Sequence, residues 1–548
     1  MSKNLKNISV VASATMISRV LGLVRETLTA AVFGTSALAS AYATAFQLPN
    51  LFRRLLAEGG MTAAFIPTLT EETEKRQRAG AFALISQVAS WLLVASGAVV
   101  GLSILLLSQQ NFIASAGRSF GAEPETIGRW LLAAKLAVIL FPYLVFVCLA
   151  AAFSAALQTF NRFLEPALSP IWLNVAMIGF LATGAYITQV DLLKMKWFCA
   201  GVLLGGFLQM AVPAWALTRE GWRPRFDLSW SEPVRAVVRL MGPTVLGSAV
   251  YLINMTVSRF VGLSLSDATV SVLNYAQRLM ELPIGVFAVA VSTVVFPLIT
   301  RHAARGDMEE MGDAYRKGMR LILIINVPAA AGLAALAEPV IRLLFQHGAF
   351  HASDTRLMVP VLIVYAWGLP FFSFVNLALR AFYAQKDTRT PVRAAVLSFF
   401  INLALSLALM GPLSTVGLAL AGNVAIVVQA WYLQTKLERK APQLAFHHLW
   451  GGLSKVLVAS AVMGLVVYGG WILTRHWLPV SAGAAASAPA ESASILGRLM
   501  RNAAEAGLLA AWIAAGVAIY GGLLWMLRID GREEIVALVQ KKFQRRRA

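Results

Sequence analysis

Residues 394–435 read AAVLSFFINLALSLALMGPLSTVGLALAGNVAIVVQAWYLQT, a run without one charged side chain, bounded by Arg393 and Lys436. A helix crosses the hydrocarbon core of a bilayer with about 20 apolar residues, so this run is long enough for two crossings. Its midpoint, Met410-Gly411-Pro412-Leu413-Ser414, is a turn signal built on glycine and proline. The run predicts two membrane helices joined by a tight turn. Apolar residues follow one another without alternation, which argues against membrane strands.

Similar runs extend on both sides: 79–117, 136–161, 166–190, 197–218, 241–258, 282–300, 321–337, 357–379, 456–474 and 506–527. Segments 8–33 and 37–65 are apolar with internal charges. The stretch before residue 25 begins like a signal peptide, but Arg19 and Arg25 interrupt it, and it reads as a retained first span. The total is about 14 helices by this window argument. Composition agrees. The chain has 548 residues, 58% hydrophobic and 14% charged, with mean hydropathy +0.68. Soluble domains carry about 25% charged residues, so a soluble fold is excluded, as is disorder. Cys148 and Cys199 are too few for a disulfide framework and sit in apolar runs as small core residues.

The net charge of +20 points to inner-face loops of a membrane protein and away from nucleic acid, since no soluble basic module is present. With the N-terminus inside, the inner loops hold Lys75, Arg76, Arg78, Arg162, Arg219, Arg223, Arg225, Arg301, Arg305, Lys386, Arg389, Lys436 and Lys440, and the outer loops hold few basic residues. Both termini are expected in the cytoplasm. Ser481–Ser494 reads as a flexible outer linker, and 531–548 as a basic cytoplasmic tail.

Five short matches recur in register. Ser18-Arg19-Val20-Leu21-Gly22-Leu23 returns as Ser258-Arg259-Phe260-Val261-Gly262-Leu263, and Phe160 and Pro166 return as Phe382 and Pro391. The spacing predicts a duplicated six-helix unit in parallel orientation, a known transporter plan. The expected architecture is an all-α polytopic membrane protein. Residues 1–225 and 226–440 form two six-helix lobes related by a pseudo-twofold along the membrane normal. Residues 441–530 add two helices.

Charges inside the spans carry the functional signal. Arg19 and Arg25 fall in the first span, Arg53, Arg54 and Glu58 in the second, Arg259 in the seventh, and Arg278 with Glu281 in the eighth. A charge at mid-bilayer costs at least about 2.5–3.5 kcal/mol, so such residues face a protein interior or a water-filled cavity. Arg259 reads as structural. The others predict a cationic cavity between the lobes. Guanidinium grips phosphate in a bidentate fork, so the expected cargo is an anion carrying phosphate or pyrophosphate. The alternative for any one of these residues is charge neutralisation or snorkelling at a helix end. No P-loop, HExxH or nucleophile elbow is present, paired carboxylates are absent from the apolar core, and no enzyme chemistry, metal or cofactor is expected. His347 and His351 are four residues apart, but in an outer loop. A loop pair is the simpler reading than zinc.

Three stretches, SRVLGLVRETLTAAVFG from Ser18, AFQLPNLFRRLLAEGGMTAAFIPTL from Ala45 and NYAQRLMELPIGVFAVAVSTVVFPLI from Asn274, closely resemble the MurJ (MviN) lipid II flippases, of the multidrug/oligosaccharidyl-lipid/polysaccharide exporter superfamily. NRFLEPALSPIWLNVAMIG, LFQHGAF and AFYAQKDTRTPV extend the resemblance to about residue 530. It implies an inner-membrane flippase that moves the undecaprenyl-pyrophosphoryl peptidoglycan precursor lipid II to the outer face by alternating access. Arg19, Arg25, Arg53, Glu58, Arg278 and Glu281 would then line the cavity and bind the substrate. The last two helices would form a groove for the polyprenyl tail. The implied partners are lipid II and membrane lipids, with cell-wall synthases as further candidates. The chain departs from the family pattern at Glu26, where an Asp is usual, and at Ser40 and Gln47, where some relatives have an acid and a lysine. Ser258, Asn402 and Ser406 stand where a sodium site would need acids, so no sodium ligands are expected. The rival readings are export of another polyprenyl-linked glycan or of drugs, a lipid-processing enzyme, and a scaffold for wall synthases.

Overall fold

The computed structural model describes residues 3–53, 62–119, 121–284, 289–446, 450–475 and 495–533. All regular structure among them is helical. Among the described residues, eight helices are long and apolar enough to cross a membrane, or nine when one bent pair counts as a single span. The fold is all-α and polytopic. Large apolar side chains face outward along it, among them Leu465 at 72% exposure, Val517 at 70% and Trp431 at 67%, as lipid-facing surfaces require.

The chain divides into two compact units, Met1–Asn274 with His347–Phe350, and Tyr275–Gln346 with His351–Ala548. The first holds α1 (Lys3–Phe33), α2 (Ala37–Arg53), α3 (Thr62–Ser108), α4 (Gln110–Ser119), α5 (Pro124–Leu140), α6 (Tyr143–Thr159), α7 (Leu164–Ile187), α8 (Asp191–Arg219), α9 (Glu232–Leu265) and the start of α10 (Thr269–Pro283). The second holds the rest of α10, then α11 (Val289–Arg305), α12 (Met308–Ala335), α13 (Ala337–Phe345), α14 (Ala352–Ala384), α15 (Arg389–Lys440), α16 (Trp450–Thr474) and α17 (Ile495–Met526). Glu58, the 481–494 linker, the basic tail beyond residue 533, and His447, His448 and His476 lie outside the described residues.

Within the first unit, α7 and α8 pack most closely. Gly201 and Gly205 on α8 form the small-xxx-small spacing that lets membrane helices approach. A Cβ at Gly205 would lie 2.9 Å from the Leu173 Cα, and one at Gly201 3.0 Å from the Ala176 carbonyl oxygen. The apolar run 136–161 is not one straight helix. Pro142 separates α5 from α6, and the two meet at 45°. The loop expected around residues 66–78 is helical up to Gln77, where φ of 55° breaks α3. The charges there sustain the helix, with Glu71–Lys75 at 2.5 Å and Glu72–Arg76 at 3.8 Å as i,i+4 pairs.

Residues 347–350 belong to the first unit because they dock on the end of α1. The Ala349 N–H donates to the Ala31 carbonyl at 2.8 Å. Gly348, at φ +58°, approaches Ala31 so closely that a Cβ would sit 2.2 Å from that oxygen.

In the second unit α15 holds 52 residues, about 78 Å if straight. It is not straight. Ser414 has φ 50°, within the turn read from the sequence, and the Ser398 hydroxyl on one limb donates to the Ala425 carbonyl on the other at 3.4 Å. Lys440 at the far end bonds to Asp387 just before the near end. Asp387 also accepts from the Arg389 and Thr390 N–H groups at 3.0 Å each. Burial pushes the Asp387 carboxyl up, but Lys440 and Thr390 outweigh it and hold it down at about 2.

The same local structure recurs 225 positions apart. Asn161 and Lys386 both have φ 60° and close a helix, with Arg162 N–H on the Leu157 carbonyl and Asp387 N–H on the Phe382 carbonyl. The residue after each cap then pairs with the end of a following helix, Arg162 with Glu220 at 3.1 Å and Asp387 with Lys440, with the charges reversed. Gln209 and Gln434, again 225 apart, each accept from a buried tyrosine, Tyr143 at 3.2 Å and Tyr315 at 2.8 Å.

Candidate functional site

Four helices of the first unit, α1, α7, α9 and α10, bring their polar residues together inside an apolar surround. Arg25 on α1 is 7% exposed, as is Glu26 beside it. The Arg25 Nη2 donates to Glu26 Oε1 at 2.5 Å, and its Nη1 donates to Asn174 Oδ1 on α7 at 3.1 Å. The Asn174 amide donates in turn to the Pro170 and Ser18 carbonyls at 3.1 and 3.3 Å, which fixes which way its oxygen points. The second oxygen of Glu26 accepts from Asn274 Nδ2 on α10 at 3.4 Å. Asn274 Oδ1 accepts from Arg259 Nη2 on α9 at 3.2 Å, and Arg259 Nη1 donates to the Val270 carbonyl at 3.3 Å.

The network thus joins two buried guanidinium groups to one buried carboxylate. Arg259 ties the end of α9 to α10, the structural part expected of it. Glu26 spends its oxygens on Arg25 and Asn274. Arg19 is half-buried on α1. Asn174 is not among the site residues expected from the sequence. The signal for its role was a carboxamide in a run that otherwise offers it no partner.

Arg278 and Glu281 on α10, in the second unit, form the i,i+3 pair expected from spacing, at 3.0 Å. Gln277 holds the other Glu281 oxygen at 3.2 Å. Their side chains are 36% and 38% exposed, so this pair is open to ligand where Arg25 is not. Arg53 is the last residue of α2, and its side chain, with Glu58, falls outside what the structure describes.

Ser40, fully buried, bridges α2 to the start of α10. Its hydroxyl donates to the Asp267 carbonyl at 2.5 Å and accepts from the Ser271 N–H at 3.1 Å. No group of three or more His, Cys, Asp or Glu side chains able to hold a metal occurs among the described residues. The His351 side chain caps α14, accepting from the Asp354 N–H, while Asp354 accepts from the His351 N–H. Both cysteines are buried thiols.

Residues 29–485 match the family model described as "Lipid II flippase MurJ". The chain is 32% identical over 522 residues to a probable lipid II flippase MurJ of Rhizobium tropici, covering 93% of this chain and 94% of that one. It is 32% identical over 467 residues to the Haemophilus influenzae protein of the same description, covering 83% and 90%. Among solved structures, a lipid II flippase MurJ in an inward closed conformation superposes with a TM-score of 0.73 at 26% identity, over 96% of this chain and 99% of that one. An inward-facing multidrug resistance MATE transporter superposes at 0.64 with 15% identity, over 79% and 98%, which is a likeness of fold alone.

Proposed function

The chain belongs to the lipid II flippase MurJ family, and from that membership we infer that it carries lipid II across the bacterial inner membrane during peptidoglycan synthesis. The family transports its lipid and does not transform it. The observation that carries the reading is the match across residues 29–485. The buried network supports it. Arg25 is held by Glu26 and Asn174, and Arg259 reaches the same carboxylate through Asn274, so guanidinium groups that grip phosphate stand together inside the protein.

The headgroup is held by Arg19, Arg25, Arg53, Glu58, Arg278 and Glu281. Arg278, partly exposed, meets the anion first. Arg25 engages it by exchanging the neutral Asn174 oxygen for a phosphate oxygen, which costs one hydrogen bond and returns a fully charge-assisted one. Glu58 and Glu281 accept from sugar hydroxyls. Alternating access exposes these residues to one face and then the other. Residues 1–225 and 226–440 act as the two transporting lobes, and 441–530 as the seat of the polyprenyl tail. Both termini lie in the cytoplasm, following the basic loops. Cell-wall synthases are candidate recipients of the product.

The test is conditional depletion of the protein, followed by measurement of lipid II at the outer face with an exogenous enzyme that cannot cross the membrane. Wild type restores exposure of lipid II, and Arg19→Ala fails although the protein inserts normally. Full restoration by that variant removes the proposed role of Arg19. Normal outer-face lipid II after depletion removes the transport function.

A further inference from the structure

A small open cleft lies in the second unit, between α12, α16 and the turn after α17. Leu323, Leu453, Val456 and Ile529 form its apolar walls, and Arg320 and Asp530 stand at its polar side. The sequence fixes its depth. Arg320 is the last charge before the apolar run 321–337, Lys455 the last before 456–474, and Arg528 the first after 506–527. The cleft lies where two apolar segments begin and a third ends, at the level of lipid headgroups.

Arg320 is half-buried and, among the described residues, has neither a hydrogen bond nor an ion pair. Its neighbours on the same helix and the next do: Arg316 bonds to Asp313 and the Gln443 carbonyl, and Arg342 pairs with Glu505 at 2.6 Å. Asp530 is exposed on the rim and does not pair with Arg320. Gly531, at φ +96°, backs the arginine stem; a Cβ there would lie 3.2 Å from the Arg320 side chain. The head is therefore left at the cleft with its donors unspent.

We propose that this cleft holds an anionic phospholipid, with its phosphodiester against Arg320 and an acyl chain along Leu323, Leu453 and Val456. One guanidinium and an apolar floor suit an amphiphile better than a hydrated free anion, which needs several donors. Exposed Lys455 and Arg528, next in sequence to the lining residues Val456 and Ile529, favour a net negative lipid over a zwitterionic one. Asp530 disfavours a second negative charge at the same depth. The site shares no residue with the headgroup set proposed above. It rests on that reading for which leaflet supplies the lipid and for placing the polyprenyl tail elsewhere along 441–530, since Leu453, Val456 and Ile529 belong to that segment.

The experiment uses the full chain purified in detergent. The thermal midpoint is measured with phosphatidylglycerol, phosphatidylcholine or inorganic phosphate. Phosphatidylglycerol is expected to raise the midpoint, and the other two are expected to leave it unchanged. Arg320→Gln should weaken the apparent affinity for phosphatidylglycerol about tenfold, the loss of one charged hydrogen bond. Leu453→Trp, which fills the cleft and keeps the arginine, should also remove most of the shift, and it decides the matter if Arg320→Gln does not fold. An equal shift with phosphatidylcholine, an equal shift with phosphate alone, or a phosphatidylglycerol shift undiminished in the variants would each overturn the proposal.

Discussion

Glu26→Gln keeps the shape of the side chain and deletes its charge. In the folded protein Glu26 lies 2.5 Å from Arg25, and both side chains are only 9% exposed. Removing one partner of a buried ion pair leaves the other uncompensated, which costs about 3–5 kcal/mol. The amide oxygen can still accept from Asn274 or Arg25 as a neutral group, so the lower end, about 3 kcal/mol, is expected. At 1.4 kcal/mol per power of ten, the folded-to-unfolded ratio falls roughly a hundredfold. The double variant Arg25→Met with Glu26→Gln removes both charges. It leaves Asn174 short of a donor, at about 1–3 kcal/mol for a buried acceptor, while Arg259 loses the same carboxylate in both variants. It should therefore be no less stable than the single variant, although two native residues are gone. Reversible unfolding in mixed micelles, followed by tryptophan fluorescence, measures both. A Glu26→Gln protein within about 1 kcal/mol of wild type, or a double variant destabilised by the sum of its parts, would refute the reasoning. Under the proposed function the double variant stays inactive in complementation even where its stability returns.

Gly205→Leu places a side chain where a Cβ already meets the Leu173 backbone, and overpacking of this kind costs about 1–3 kcal/mol or more; the yield of folded protein after membrane extraction should fall, with Gly205→Ala intermediate. Arg278→Ala is expected to abolish transport with little loss of folded protein, because its pair is one-third exposed; a complementation assay alongside membrane quantification checks it. Asp387 has its folded pKa depressed to about 2, so its stabilisation is fully present above the ordinary carboxylate range and is lost as pH falls through about 2. The difference in unfolding midpoint between wild type and Asp387→Asn should therefore be constant near neutrality and shrink from about pH 4 downward; a difference unchanged at pH 2 would count against the latch.

The apolar runs made the helices legible, because a long apolar run without alternation satisfies its backbone in a bilayer only as a helix. The turn at 410–414 was legible for the same reason, since the run exceeded one crossing and held one breaker pair. The break at Gln77 was not, because a glutamine in a charged stretch carries no turn signature, and the i,i+4 pairs beside it argue for helix on both sides. The bend at Pro142 was visible as a residue but not as an angle. The docking of residues 347–350 on α1 depends on contacts over three hundred residues apart, which periodicity does not encode. In the polar network, the identity of the charged residues was plain from their cost in an apolar run. Which oxygen met which nitrogen depended on Asn174 and Asn274, uncharged and individually unremarkable in sequence.

The folded-back form of α15 bears on how the chain is made. When the ribosome has delivered the first limb alone, the Ser398 hydroxyl has no Ala425 carbonyl to meet and Asp387 has no Lys440. Those partners arrive only with the second limb. The translocon is thus expected to release the two limbs into lipid as a pair, with the basic residues at both ends held back on the side where synthesis occurs.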